Sequence, residues 1–232
     1  MLTDADFEIA RSIAEELIIP DRFGVDSETD EFNSDLVTQL KALNINNFEI
    51  DNGVSKAVII FNDYNFVIKI PFNGCWYTEY DSENDEYGDP YFEYFCGAEA
   101  PDSTDYCWDE CIRIENAEGA GFGNFFPETA MIYESNCQRF YIQEKVRPSR
   151  IFKPEPSENS KIRAQKIDSQ YKYCSEDWRA MAIDLYGEGF LKEFINWCSD
   201  NEYDILSDLH RGNYGYSLSG APVILDASGY RD

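Results

Sequence analysis

Two acidic side chains and an amide late in the sequence have the residue types of a metal and acid–base site. Asp208 opens the segment Asp208-Leu-His-Arg-Gly-Asn213, and Asp226 follows an apolar run after the turn signal Ser219-Gly220. The chain from Asn213 to Asp226 is therefore expected to form a β-hairpin whose ends lie close together. Oxygen ligands gathered in this way suit Mg²⁺, which prefers one or two carboxylates together with substrate phosphates. Asp208, one short loop away, is then free to orient an attacking hydroxyl.

This segment resembles the catalytic loop of proteins with the protein-kinase-like fold. Its form Asp-x-His-x-x-Asn is similar to that of aminoglycoside and choline phosphotransferases, and Asp226-Ala-Ser-Gly229 stands where protein kinases have Asp-Phe-Gly. Protein kinases usually place His-Arg before the Asp, whereas Leu206-Ser207 stands there in this sequence. The resemblance extends over about residues 47–232 and includes the order of strands, helix and turns.

The resemblance implies an α+β, protein-kinase-like fold with an antiparallel-sheet small lobe and a reduced helical large lobe. The large lobe is expected to end just after the metal-binding Asp226, without the helices that shape the acceptor pocket in related enzymes. In this compact form the chain resembles kinase-like proteins of phages and mobile elements. The expected segments are an N-terminal helical extension at 1–46, a small lobe at 47–146 with an acidic insertion at 78–104, and a truncated large lobe at 147–232.

The resemblance also assigns roles to the residues of the loop and the hairpin. Asn213 and Asp226 are expected to bind Mg²⁺, and Asp208 is expected to be the catalytic base that faces the acceptor hydroxyl. His210, the only histidine of the chain, belongs to the catalytic loop. It is expected to support the loop through hydrogen bonds, and a general-base role is the weaker alternative.

A second group of predicted site residues lies in a meander of apolar strands. Lys69 stands alone among apolar neighbours in Val67-Ile-Lys-Ile70, and a lysine there must find an anionic partner or reach solvent. The resemblance implies that Lys69 contacts the phosphates of ATP and pairs with a glutamate of the next helix. Glu110 is the preferred partner and Glu115 the alternative, while an exposed edge lysine is the competing interpretation.

The remaining contacts with ATP are expected from backbone groups. The segment Asp51-Asn-Gly-Val-Ser-Lys-Ala57 stands where kinases cover the phosphates, and Gly53 and Ser55 are its candidate contacts. Because the segment has a single glycine, an ordinary hairpin turn explains it equally well. Glu144 to Val146 would form the hinge, whose backbone N–H and C=O groups hydrogen-bond the adenine in the family.

Periodicity and turn residues predict the elements that carry these positions. Thr3 and Asp6 are expected to form a capping box on the first helix, and the two N-terminal helices are expected to cover the sheet. The stretch 26–33 is predicted to be a polar connection, and 147–160 a linker rich in Pro and Ser. The predicted helices are 4–19, 35–43, 105–118 and a helical region at 177–200, and the predicted strands are 47–50, 57–61, 66–70, 130–135 and 139–146.

The charge balance argues against several classes of partner. With 19 basic and 45 acidic residues the net charge is −26, and such a surface repels nucleic acid and anionic membranes. It also repels free nucleotides unless Mg²⁺ and local lysines screen their phosphates. No apolar run approaches the length of a membrane span, and the N-terminus lacks a signal-peptide pattern, so a cytoplasmic protein is expected.

The cysteines point to neither zinc nor disulfides. There are seven of them, an odd number, and no Cys-x-x-Cys motif occurs. With one histidine, a zinc site would need four thiolates at spacings that this sequence lacks. The cysteines are expected to be small buried side chains or free thiols, and Cys107 and Cys111 are spaced to share one helix face.

Three functions from different classes stay open at this point. An ATP- and Mg²⁺-dependent phosphotransferase acting on a hydroxyl ranks nearly level with a pseudokinase-like module that binds nucleotide or protein without turnover. A protein partner that supplies the acceptor, or is itself the acceptor, would complete either site. An acidic interaction protein that mimics nucleic acid ranks third, because it rests on charge alone.

Overall fold

The computed structural model describes residues 1–19, 27–53, 55–77, 80–81, 84, 86–89, 91–94, 105–135, 138–167, 174–207 and 209–227. Both Asp208 and most of the acidic insertion predicted at 78–104 lie outside these residues. The described part of the chain is α+β, as the sequence predicts, with antiparallel sheets and six α-helices. Among its helices, none is both long and apolar enough to cross a membrane.

The elements are numbered in chain order. The helices are α1 Asp4–Glu16, α2 Ser27–Ala42, α3 Tyr106–Gly119, α4 Glu158–Lys166, α5 Glu176–Tyr186 and α6 Glu188–Asp200. The strands are β1 Phe48–Asn52, β2 Lys56–Phe61, β3 Phe66–Pro71, β4 Gly74–Tyr77, β5 Tyr80–Asp81, β6 Glu86–Tyr87, β7 Tyr91–Tyr94, β8 Thr129–Ser135, β9 Gln138–Glu144, β10 Arg147–Pro148, β11 Tyr214–Tyr216 and β12 Pro222–Ile224.

The chain divides into two compact units. The first comprises Met1–Asp109 with Thr129–Glu144, and the second comprises Glu110–Glu128 with Lys145–Asp232. The first is built on a five-stranded antiparallel sheet in the order β1-β2-β3-β9-β8. The second contains the three-stranded antiparallel sheet β10-β11-β12 together with α4, α5 and α6.

Alternation along the strands determines which face of the large sheet is covered. Ile59, Ile68 and Ile142 are fully buried and share one core with Ala10 of α1 and Leu40 of α2. Successive side chains of a strand point to opposite faces, so this apolar set lies on one face, and the two N-terminal helices cover it as predicted. The capping box on α1 is also present, since the Thr3 hydroxyl accepts from the Asp6 N–H at 3.2 Å.

The helix predictions need two corrections. The polar stretch predicted as a connection at 26–33 lies largely within α2, which begins at Ser27. The helical region predicted at 177–200 is two helices, α5 and α6. Gly187 lies between them with φ +89°, a backbone conformation that side chains other than glycine rarely adopt.

The segments predicted as linker and insertion also contain regular structure. The linker predicted at 147–160 includes strand β10 and the beginning of α4, whose N-cap is Ser157. Short antiparallel pairs, β4 with β7 and β5 with β6, lie in and next to the predicted insertion. Two-residue strands carry too little periodicity for a sequence pattern to reveal them.

An aromatic core holds the second unit together. Phe125 packs against Trp178 and Phe194, with ring centroids at 5.3 and 4.4 Å. All three side chains are fully buried in a cluster that also includes Leu206 and Leu209. Since these two leucines flank Asp208 in sequence, the core anchors the predicted catalytic loop on both sides of that residue.

Replacing Ser157 by alanine is expected to destabilise the fold by about 1 kcal/mol, the usual cost of losing an N-cap. The Ser157 hydroxyl accepts from the Ser160 N–H at 3.3 Å and donates to the Asp184 carboxylate at 2.7 Å. Urea denaturation followed by circular dichroism measures the loss. Ser199→Ala, at an exposed position in α6, is the matched control and should change the free energy of unfolding by no more than about 0.5 kcal/mol.

The cost of Ser157→Ala is also expected to depend on pH. Hydrogen bonds from Ser157 and Ser160 lower the pKa of Asp184. A carboxylate with a lowered folded-state pKa stabilises the fold above its unfolded pKa of about 3.9, and this contribution is lost as the pH falls below that value. The difference between wild type and Ser157→Ala should therefore shrink on acidification below about pH 4; a difference that grows there would contradict the assigned bond.

Candidate functional site

In the first unit, Lys69 is a buried lysine on the face of the sheet opposite the apolar core. Its side chain is 3% exposed, while its neighbours Ile68 and Ile70 point into the core covered by α1 and α2. Val58 and Tyr141 are its partners on the two adjacent strands. Directly paired residues share a face. Since Lys69 is buried on the central strand of the sheet, the interpretation of Lys69 as an exposed edge lysine is wrong.

On the same face, Tyr141 connects strand β9 with the beginning of α3. Its hydroxyl donates to the Asp105 carboxylate at 2.6 Å, and Arg139 forms an ion pair with the same carboxylate at 3.3 Å. The other oxygen of Asp105 accepts from the Trp108 N–H at 2.9 Å, which caps the first turn of α3. Burial and then the neighbouring Asp105 charge raise the pKa of Tyr141, so this hydroxyl remains a donor.

The turn proposed to cover the phosphates is a closed hairpin. The Gly53 N–H donates to the Lys56 carbonyl at 2.9 Å, and the Ser55 carbonyl accepts from the Phe72 N–H at 2.9 Å. A Cβ at Gly53 would meet only an ordinary contact at 3.6 Å, so nothing in the backbone requires glycine there. In this arrangement the Gly53 amide, the main candidate phosphate donor, is already used inside the turn.

The residues predicted as a hinge follow the last strand of the large sheet. Strand β9 ends at Glu144, and the division between the two units falls between Glu144 and Lys145. The Glu144 carboxylate forms an ion pair with the amino group of Met1. Val146 lies on the way into β10, and its side chain is half-buried.

Burial on helix α3 distinguishes the two glutamates that the sequence left as alternative partners of Lys69. The Glu110 side chain is fully buried, whereas Glu115 is exposed. A buried carboxylate needs a charged or hydrogen-bonding partner, and an exposed one does not. Burial therefore favours Glu110 as the residue with a specific role.

Sequence reasoning missed Arg113, one turn after Glu110 on the same helix. Its buried guanidinium donates to the Ala227 carbonyl at 2.7 Å and lies 5.4 Å from the centroid of the Tyr203 ring. Ala227 directly follows the predicted metal ligand Asp226, so Arg113 holds the backbone beside that carboxylate. Its spacing of one turn from Glu110 was the available signal, since residues three apart share a helix face.

The second unit brings His210, Asn213 and Asp226 together. The Asn213 N–H donates to the His210 carbonyl at 2.9 Å, and the Asn213 carbonyl accepts from the Leu225 N–H at 2.8 Å. Because Leu225 directly precedes Asp226, the hairpin of β11 and β12 places the amide and the carboxylate at its open end. The backbone of the two predicted metal ligands is thus held close at this end of the hairpin.

Hydrogen bonds hold the loop that contains these residues. The His210 ring accepts at Nδ1 from the Gly212 N–H at 2.9 Å. A Cβ at Gly212 would lie 2.7 Å from this ring, so any other residue would displace the ring from this hydrogen bond. At the beginning of α5, the Ser175 N–H donates to the Leu209 carbonyl at 3.0 Å, which supports the loop from the helix side.

The donor set fits Mg²⁺ chemically and does not fit zinc. Asn213 and Asp226 offer an amide oxygen and a carboxylate, the hard ligands that Mg²⁺ takes together with phosphates. Within the described ranges, no group of three or more His, Cys, Asp or Glu is arranged to hold a metal by itself. Substrate phosphates would therefore have to complete the coordination.

The thiols of the described part have no part in this site. Cys107, Cys111, Cys174 and Cys198 are buried, as expected from the sequence. Burial raises the pKa of the Cys174 and Cys198 thiols, so they stay protonated and unreactive. The side chains of Cys75, Cys96 and Cys137 lie outside the description.

Comparison with known proteins adds no family to this picture. The chain matches no protein-family model. No curated protein matches it either.

Proposed function

We propose that this chain is a kinase-like phosphotransferase that uses ATP and Mg²⁺ to phosphorylate a hydroxyl. The observation that carries the proposal is the bond between the Asn213 carbonyl and the Leu225 N–H, which sets Asn213 beside Asp226. Asn213 ends the Asp-x-His-x-x-Asn segment, and Asp226 follows it later in the chain, which is the order that the resemblance implies. A hairpin alone explains the backbone pairing, but not the choice of an amide and a carboxylate at its open end.

The order of elements along the chain supports the same proposal. The strands β1, β2 and β3 come first, the helix α3 follows after the short strands β4–β7, and β8 and β9 come last, which is the order implied by the resemblance. Lys69 lies on the third strand, and Glu110 on the helix that follows; both are buried. Since a buried charge needs a partner, the burial of both residues favours a specific role for each over two unrelated surface residues.

The proposed roles follow from the chemistry of each side chain. Mg²⁺, held by Asn213 and Asp226, would neutralise the phosphate charge that a chain of net charge −26 otherwise repels. Lys69 holds the nucleotide phosphates, with Glu110 holding Lys69. Asp208 accepts the hydrogen bond of the acceptor hydroxyl and takes its proton as the hydroxyl oxygen attacks the terminal phosphorus. The bond from that phosphorus to the bridging oxygen of the β-phosphate breaks in the same step, and ADP leaves.

A second function, a pseudokinase-like module without turnover, is favoured by the turn at Gly53. Its amide is bonded to the Lys56 carbonyl at 2.9 Å and is not offered to a phosphate. A nucleotide held without that cover would bind yet be poorly aligned for transfer, because phosphoryl transfer depends on positioning. If the wild-type chain binds ATP in a Mg²⁺-dependent manner but consumes none of it, the second function is supported over the first.

Calorimetric titration of the full chain with ATP tests the proposed nucleotide site. Binding is expected in millimolar Mg²⁺ and is expected to be lost in EDTA, because phosphates beside Asp226 repel without the metal. Asp226→Ala should weaken binding of Mg²⁺·ATP at least about tenfold, since it removes a charged ligand. Asp200→Ala, which removes the same charge from an exposed position at the end of α6, is the matched control.

Two outcomes would contradict the proposed site. Equal ATP affinity in EDTA and in Mg²⁺ would remove the role of the metal. Equal loss of affinity in Asp226→Ala and Asp200→Ala would show a general charge effect instead of a ligand at Asp226.

A further inference from the structure

A basic stretch interrupts this strongly acidic chain next to the predicted catalytic loop. The chain carries a net charge of −26, yet residues 145–167 hold seven basic side chains and only two acidic ones. The seven are Lys145, Arg147, Arg150, Lys153, Lys161, Arg163 and Lys166. A local reversal of sign in such a chain concentrates anions where it is exposed.

The turn after β10 is held rigidly against the loop. Strand β10 pairs with β11 through Arg147 opposite Tyr216 and Pro148 opposite Gly215. The approach is so close that a Cβ at Gly215 would lie 2.8 Å from the Arg147 carbonyl. The buried Ser149 hydroxyl then donates to the Arg211 carbonyl at 2.7 Å, which ties the turn directly to the loop.

The arginines of this region differ in the contacts that their guanidinium groups make. Arg147 lies 4.2 Å from the centroid of the Phe152 ring and donates to the Leu218 carbonyl, so its guanidinium has a structural use. Arg150 is exposed, and no hydrogen bond or ion pair joins it to the described residues. Its Nη2 lies 3.3 Å from the position that a Cβ on Gly212 would take.

Arg211, on the loop itself, presents a second exposed guanidinium. Its side chain is 63% exposed, and its ion pair with the equally exposed Asp177 spans 3.5 Å. Exposed pairs of this kind contribute little and are readily exchanged for a better partner. Arg211 directly precedes Gly212 in the loop, and the Arg150 guanidinium lies beside Gly212 in space. Among the described residues, the exposed Asp177 is the one ion-pair partner of either guanidinium.

We propose that Arg150 and Arg211 form an anion subsite that binds a phosphate or carboxylate group of the acceptor. Two guanidinium forks offer the paired donors that both of these groups accept. The subsite lies on the loop that contains His210 and leads from Asp208, the residue assigned to the acceptor hydroxyl. The identity of the bound group as part of the acceptor rests on the proposed function, whereas anion binding itself does not.

Titration of the full chain with inorganic phosphate, without nucleotide or metal, tests the subsite. Saturable binding is expected, and Arg150→Ala and Arg211→Ala should each weaken it at least about tenfold, the value of a charged hydrogen bond. Arg163→Ala, which removes an exposed arginine of α4 outside the turn and the loop, is the matched control and should leave the affinity unchanged. Both tested arginines are exposed, so these variants are expected to fold, and circular dichroism checks this.

Two further titrations separate the sources of the anion. Acetate in place of phosphate shows whether a carboxylate is bound as well. Saturating Mg²⁺·ATP should leave the phosphate affinity unchanged if the subsite serves the acceptor, and competition would assign the arginines to the nucleotide and overturn the acceptor role.

The outcomes distinguish this proposal from the proposed nucleotide site. Absence of phosphate binding, or equal weakening by Arg150→Ala and Arg163→Ala, overturns the subsite even when Mg²⁺·ATP binds. Phosphate binding by a wild-type chain that binds no Mg²⁺·ATP would instead overturn the proposed function and leave the anion site standing.

Discussion

Replacing Asp208 by asparagine is expected to lower the rate of phosphoryl transfer by about 10²–10⁴-fold, the usual contribution of a positioned base. Asparagine keeps the size of the side chain but cannot take the proton of the acceptor hydroxyl. The affinity for Mg²⁺·ATP should stay nearly unchanged, because the hydrogen bond to the acceptor strengthens mainly in the transition state. Consumption of ATP in the presence of candidate hydroxyl acceptors measures the rate, and calorimetry measures the affinity.

Asp200→Asn provides the control for this result, since it makes the same chemical change at an exposed position in α6. If wild type and Asp208→Asn transfer phosphate at the same rate, Asp208 has no role in the mechanism. If wild type consumes no ATP with any acceptor and Asp208→Asn keeps the full biological activity, catalysis is not the function. A nucleotide- or partner-binding module would then account for the site.

Replacing Trp178 by alanine is expected to destabilise the second unit by about 3–5 kcal/mol, as for other large aromatic side chains removed from a core. Trp178 is fully buried, and its ring centroid lies 5.3 Å from that of Phe125 and 6.3 Å from that of Phe194. Alanine would leave a cavity that these rings close only in part. Urea denaturation followed by circular dichroism at 222 nm measures the loss.

The matched control for Trp178 is Ile162→Ala, at a position in α4 that is 50% exposed. This change should alter the free energy of unfolding by about 0.5 kcal/mol or less. Similar losses for both variants would show that the aromatic cluster is not the core of the second unit. Since Leu206 and Leu209 belong to the same cluster, the Trp178 variant should also loosen the predicted catalytic loop.

Local patterns were sufficient for the elements with strong periodicity. The three strands of the meander and the helix after the insertion were predicted within a few residues, because alternation and helical spacing extend over their whole length. The capping box at Thr3 was equally readable, since both partners lie within one turn. The two-residue strand β10 could not be predicted, because it is too short to show a period. The division between α5 and α6 could not be predicted either, because it depends on one glycine.

The sequence by itself determined the chemistry that this protein can offer. The Asp-x-His-x-x-Asn segment, the hairpin that returns to Asp226 and the lone lysine in an apolar strand are all local features. Their residue types define oxygen ligands, a base and a cation without any knowledge of the fold. The net charge of −26 likewise follows from composition and defines which partners are repelled.

Only the tertiary structure decided which of these groups are buried, occupied or adjacent. Glu110 and Glu115 look alike in sequence, yet at about 100° per residue they point in different directions from α3, and only Glu110 is buried. The sequence predicts the Gly53 amide as a phosphate donor, but in the structure this amide donates to the Lys56 carbonyl within the hairpin. Arg113 donates to the carbonyl of Ala227, which lies 114 positions later in the chain. The pairing of β10 with β11 brings the Arg150 guanidinium next to Gly212. Contacts between residues so distant in sequence depend on packing, which no local pattern encodes.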